Sequence, residues 1–170
     1  MQNELILFYS HHTFIYNIVM RTVAIDYGTK RIGLAISDPT GLVAKPMPTL
    51  KVKSFADAVG KVFQIIKKQQ ADTIILGLPL SPKREETQQS IQIRYFAQAL
   101  RVANNIKIEY WNESFSTIDA EKSISKGTKR KRKNIDSEAA RIILQEYLDY
   151  KRNPESKPQI AMPHYDNILI

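Results

Sequence analysis

The chain contains no cysteine, which removes disulfides as a means of holding it together and gives no sign of an oxidising compartment. It also lacks any run approaching the roughly 20 consecutive apolar residues of a membrane span. A cytoplasmic protein is the simplest expectation. Acidic residues are scarce beside basic ones, 17 against 25, and the net charge of +8 is unevenly placed: six positive charges fall within Lys126–Lys133, KGTKRKRK. Such concentrated charge, with a pI near 9.6, points to a polyanionic partner, nucleic acid before acidic lipid. A solvated loop is the competing reading of such a run. At 170 residues and 43% hydrophobic content the chain suffices for one domain with a proper core.

Lysine and arginine are absent from residues 1–19, MQNELILFYSHHTFIYNIV, and a His pair and two Asn interrupt their apolar residues. A signal peptide needs a basic start and a continuous apolar block, so this is a poor one. The expected domain starts near Met20, with residues 1–19 as an appendage from an upstream start codon. His11–His12 has only Glu4 nearby as a further donor, which argues against a metal site.

The rest is organised around Arg21–Ser37, RTVAIDYGTKRIGLAIS. Thr22–Ile25 and Ile32–Ile36 read as buried strands, and the short gap Gly28–Arg31 makes them an antiparallel hairpin. A dinucleotide-binding unit would instead place a helix directly after its glycine-rich turn. Asp38–Gly41 reads as a turn. Leu42–Leu50 then reads as a third strand, held to a sheet edge because Pro46 and Pro48 cannot donate ladder hydrogen bonds. Ser54 is placed to cap a helix over Phe55–Gln69, with Phe55, Val59, Val62, Phe63 and Ile66 at helical spacing. A strand over Thr73–Leu78, a helix over Thr87–Ala103 with Ile91, Tyr95, Ala99 and Val102 inward, and a strand over Ile106–Trp111 follow. Ser116 and Asp119 resemble a capping box for a helix from Thr117 to Ser125, and Ile135–Tyr150 is a last amphipathic helix. Residues 151–170 read as a tail. This order predicts an α/β fold: a mixed five-stranded sheet, three antiparallel strands then two parallel, with helices on both faces.

Three carboxylates end or open elements where packing does not require them. Asp26 closes the first strand, Glu113 follows the last strand, and Asp136 opens the final helix on the inward stripe Asp136, Ala140, Ile143, Tyr147. Each alone has an ordinary explanation: an Asx turn, an exposed loop residue, a helix cap. Together they converge at one sheet edge if the last two strands flank the first, and three clustered carboxylates require cations. Two divalent ions about 4 Å apart activate a water and stabilise the leaving oxygen of a phosphodiester. Oxygen-only ligands favour Mg²⁺ or Mn²⁺ over Zn²⁺.

At these residues the chain resembles the YqgF family. The resemblance is carried by Asp26-Tyr27-Gly28-Thr29-Lys30-Arg31-Ile32-Gly33-Leu34-Ala35, Leu76-Gly77-Leu78-Pro79-Leu80, Glu113-Ser114-Phe115-Ser116-Thr117 and Ile135-Asp136-Ser137-Glu138-Ala139-Ala140, in that order. It covers about Met20 to Tyr150. It implies a ribonuclease H-like fold, metal-dependent phosphodiester hydrolysis on pre-16S rRNA during ribosome biogenesis, and Asp26, Glu113 and Asp136 as the catalytic, metal-binding set. The family often carries Asp-Glu-Arg where this chain has Asn112-Glu113-Ser114. It often has an Asp-Gly turn where this chain has Lys83-Arg84-Glu85-Glu86.

Lys30 and Arg31, beside Asp26, are candidates to hold a phosphate. Lys129, Arg130, Lys131, Arg132 and Lys133 are candidates for sequence-independent backbone contacts. Trp111 and Tyr110 suit base stacking or the core, and a strand-end aromatic is more often core. The expected partner is structured RNA, an rRNA precursor, with branched DNA as the alternative. No membrane is involved, a ribosomal partner fits, and the chain is expected as a monomer or weak dimer. A Holliday junction resolvase and a non-catalytic nucleic-acid-binding module are the competing readings. The Asp26-Tyr27-Gly28-Thr29 hairpin also looks like the phosphate-binding hairpin of actin-like ATPases and sugar kinases, but those folds need a second half for which this length has no room.

Overall fold

The computed structural model describes residues 21–81, 83, 85–103, 106–112 and 135–156. Strands β1 (Arg21–Tyr27), β2 (Arg31–Ser37) and β3 (Ala44–Lys51) come first. Helix α1 (Phe55–Gln69), β4 (Ala71–Leu78), α2 (Gln88–Ala103), β5 (Lys107–Asn112) and α3 (Ile135–Arg152) follow, with a 3₁₀ turn at Pro154–Ser156. The sheet order is β3-β2-β1-β4-β5. β2 pairs antiparallel with β1 and β3, and β4 pairs parallel with β1 and β5. This is the expected mixed sheet, and the Pro46–Pro48 strand lies at its edge. Glu113, the helix expected over Thr117–Ser125 and the run Lys129–Lys133 lie outside the described residues, as do residues 1–20. No described helix is long and apolar enough to cross a membrane.

Alternation along β1 sends Val23, Ile25 and Tyr27 to one face of the sheet and Ala24 and Asp26 to the other. On the first face these side chains join Ile32, Leu34, Ile74, Leu76 and Leu78 beneath α1 and α2. On the second, Ala24, Ala35 and Ile75 meet Ala139, Ala140, Ile143 and Leu144 of α3. The alanines matter because small side chains on β1 and β2 let α3 settle close to the sheet. Ser54 caps α1 as expected: its Oγ accepts the Asp57 N–H at 3.2 Å, and the Asp57 carboxylate accepts from the Lys53 N–H at 2.9 Å and Lys61 Nζ at 2.9 Å.

Three expectations are corrected. Helix α2 buries Ile93, Phe96, Ala97 and Leu100, whereas Ile91, Tyr95 and Val102 face outward, Val102 with 81% of its surface exposed. Both stripes satisfy helical spacing, so the larger apolar set under Phe96, packed against Tyr27 at 4.5 Å between ring centroids, fixes the rotation. The third strand begins at Ala44, not Leu42. The Asp38 carboxylate accepts the N–H groups of Leu42 at 2.8 Å and Val43 at 2.9 Å, which extends the turn by two residues. Those bonds, with the Thr40 hydroxyl foremost, bring the Asp38 carboxyl down to about 2. The final helix continues to Arg152, two residues beyond the expected end at Tyr150.

Candidate active site

Gly33 is where the site is built. It lies opposite Asp26 in the β1–β2 ladder, and the first turn of α3 rests directly on it. A Cβ added at Gly33 would stand 1.9 Å from the Asp136 carbonyl oxygen, 2.3 Å from its carbonyl carbon and 3.0 Å from the Ser137 nitrogen. Only glycine permits this backbone approach. On its other side, Ile32 pairs with Leu50 and Leu34 with Met47, so Pro48 and Thr49 of β3 together oppose Gly33 in a bulge. Thr49 Oγ1 lies 2.7 Å from Ser137 Oγ, which ties the start of α3 to β3 as well.

Strand alternation puts Asp26 on the face that α3 covers, and the Gly33 contact puts Asp136 beside it. Asp26 on the strand and Asp136 at the head of the helix therefore meet at one glycine, on the same face of the sheet. The Asp136 side chain is 21% exposed, and Arg31 Nε lies 3.0 Å from its Oδ2. Among the described residues that oxygen is buried and accepts no hydrogen bond, so the contact is ionic without the alignment of a donor. Arg31 is two residues before Gly33 on β2, on the same face and one step toward the strand end.

Lys51 pairs with Arg31 across β2–β3, and Lys30, whose carbonyl accepts the Val52 N–H at 3.0 Å, adjoins it in the hairpin turn. Lys30, Arg31, Lys51 and Lys53 are all exposed. A cationic rim thus borders the carboxylate pair. Lys51 and Lys53 escaped the sequence reading because their place depends on the β2–β3 register, which the bulge shifts by one residue. The hairpin spacing alone finds Lys30 and Arg31.

Of the residues singled out from the sequence, Asp26, Arg31 and Asp136 are brought together, with Lys30 next to them. Glu113, Lys129, Arg130, Lys131, Arg132 and Lys133 lie outside the described residues. β5 is parallel to β4 and β4 to β1, so β5 delivers the chain at Asn112 to the sheet end that carries Asp26. Among the described residues no group of three or more His, Cys, Asp or Glu gathers for a metal. Asp26 and Asp136 nonetheless suit a hard divalent cation: their donors are all oxygen, and among the described residues the buried Oδ2 of Asp136 is met by the positive charge of Arg31 and by no hydrogen bond.

Trp111 is used for packing. Its ring meets Tyr147 edge-on at 5.8 Å and Tyr150 at 5.8 Å, and its Nε1 donates to Glu146 Oε2 at 3.0 Å. Tyr110 lies under Arg94 at 5.0 Å and Arg101 at 5.9 Å. Burial pushes the Glu146 carboxyl up and Asp149 adds to the rise, while the Trp111 bond opposes them. Because the folded-state value is raised, the unfolded chain releases this proton at lower pH, and Glu146 contributes less to stability as pH rises through the folded value. Glu146→Gln keeps an acceptor for Trp111 and should raise the melting temperature more at pH 7 than at pH 4. Equal changes at the two pH values would contradict this. The sole tryptophan makes its fluorescence a direct reporter of the titration.

Comparison with known proteins identifies the family. The family model described as "RuvX: Holliday junction resolvase" matches residues 20–150. A protein of Dictyoglomus turgidum named "Putative pre-16S rRNA nuclease" is 38% identical over 133 residues, covering 76% of this chain and 94% of its own. One of the same name from Caldanaerobacter subterraneus subsp. tengcongensis is 34% identical over 138 residues, covering 79% and 99%. The structure titled "T. thermophilus RuvC in complex with Holliday junction substrate" aligns with a TM-score of 0.51 over 78% of this chain and 95% of that one, at 13% identity. That likeness concerns the fold, which is of the ribonuclease H-like kind. With its four motifs in order and the family match spanning the whole sheet and α3 as far as Tyr150, the chain belongs to the RuvX family, also called YqgF.

Proposed function

We propose that the protein is a metal-dependent nuclease that hydrolyses phosphodiester bonds at the 5′ end of pre-16S rRNA during ribosome biogenesis. The observation that carries the site assignment is the meeting of Asp26 and Asp136 at Gly33, beside a cationic rim. Nuclease chemistry is supported by the family and by relatives named for it. Asp26 and Asp136, with Glu113, hold divalent cations, Mg²⁺ or Mn²⁺. Once bound, such ions supply an activated water and neutralise charge at the leaving oxygen. The chain's own cations position the substrate: Lys30 and Lys51 face the phosphates next to the scissile one, and Lys129–Lys133 hold the backbone further along. Asn112 and Ser114, where relatives often have a carboxylate and an arginine, leave more of that grip to these lysines and arginines.

A second reading, resolution of DNA junctions, is favoured by the wording of the family description. Incubating the purified protein with labelled rRNA precursor and with four-way DNA junctions, in Mg²⁺, Mn²⁺ or EDTA, separates the two. The proposal expects metal-dependent cleavage of the precursor. Cleavage of junctions alone supports the resolvase, and metal-dependent binding without cleavage supports a binding module.

Neutralising Lys129, Arg130, Lys131, Arg132 and Lys133 to Gln should weaken binding across RNA sequences and flatten the slope of log affinity against log salt by about 4. An unchanged slope would show that these charges do not touch the nucleic acid.

A further inference from the structure

Arg31 stands where a bound cation would be needed, which raises the question of what it does when one arrives. Three observations bear on this. The Asp136 Oδ2 is buried and accepts no hydrogen bond from the described residues, so Arg31 Nε at 3.0 Å meets its charge without saturating its lone pairs. The carboxylate is the fixed partner, since the Asp136 backbone lies on Gly33 and the neighbouring Ser137 is tied to Thr49. The guanidinium is the movable one: Arg31 opens β2 beside the hairpin turn, and its side chain is 50% exposed on a long stem.

Resting on the metal-nuclease reading, we propose that Arg31 is a built-in counter-ion that a divalent metal displaces, so that metal loading frees the guanidinium to bind a substrate phosphate. Charge favours the exchange. Arg31 brings one positive charge to the Asp136 carboxylate, and a divalent ion brings two to the same place. Arg31 released in this way stands next to Lys30 and faces Lys51, and that like-charge row is stabilised only when an anion joins it. Metal and phosphate therefore each strengthen the binding of the other, and the coupling is reciprocal.

The test is Mn²⁺ binding to the full chain without nucleic acid, followed by electron paramagnetic resonance, for the wild type, Arg31→Gln, Arg31→Lys and Asp26→Asn. Arg31→Gln should bind Mn²⁺ about tenfold more tightly than the wild type, and Arg31→Lys, which keeps the charge, should stay near it. In thermal melts Arg31→Gln should be less stable than the wild type without metal and gain more from saturating Mn²⁺. Equal or weaker Mn²⁺ binding by Arg31→Gln, with Asp26→Asn still impaired, would overturn the counter-ion role and leave the metal site standing. Equal tightening in Arg31→Lys would also overturn it, since charge would not be the cause. If no variant binds Mn²⁺ at millimolar concentration, the metal-nuclease reading falls with it.

Discussion

Asp26→Asn should abolish cleavage of the rRNA precursor while leaving the protein folded. The substitution keeps the shape of the side chain and removes only its charge, at a half-buried strand end where the backbone of Asp136 approaches across Gly33. Losing a ligand to the cation should lower activity by more than about a hundredfold, since even residues behind the ligands matter by 10–100-fold. The fold should be retained, with a melting temperature within about 3 °C of the wild type. Cleavage that survives the substitution would point to a contaminating nuclease or to another site.

Gly33→Ala should be the most damaging substitution of a single methyl group. The new Cβ would collide with main-chain atoms of Asp136 and Ser137, and backbone cannot turn aside as a flexible side chain does. Helix α3 must lift from β2, opening the packing of Ala140 and Ile143 against Ala24 and Ala35. A cost of about 3 kcal/mol is expected, equivalent to a fall of roughly 6–12 °C in melting temperature. Asp136 moves with the helix, and a displacement near 1 Å is enough to cost about a hundredfold in rate. Gly60→Ala is the control: it lies within α1, nothing stands within 4 Å of the added Cβ, and the exchange should stabilise by about 0.5–1 kcal/mol. A Gly33→Ala protein as stable and active as the wild type would mean that α3 does not rest on this strand.

Much of this was legible because local rules and tertiary packing agree. The short gap after Tyr27 permits little but a hairpin, two prolines exclude β3 from the sheet interior, and Ser54 announces α1. Asp136 could be turned toward the sheet from the stripe it shares with Ala140, Ile143 and Tyr147, of which the last three are buried. Where apolar residues occur on both sides of an element, the sequence is ambiguous. Helix α2 carries Ile91, Tyr95 and Val102 on one side and Ile93, Phe96 and Leu100 on another, and only the space under β1 and β4 selects between them. Backbone-to-backbone contact leaves no periodic trace, so Gly33 reads as a family position without revealing that α3 presses on it. Lys51 likewise becomes a site neighbour only through the bulge opposite Gly33. The Arg31–Asp136 pair joins residues far apart in the chain, and charge counting does not predict it.

The central claim, that a strand carboxylate and a helix carboxylate share a cation, is tested most directly by diffraction from crystals soaked in Mn²⁺, with data collected at the manganese edge. The account predicts an anomalous peak bonded to both Asp26 and Asp136 at about 2.1 Å, with the Arg31 guanidinium turned away from Asp136. Strong manganese peaks elsewhere on the protein, with none bridging these two side chains, would contradict it.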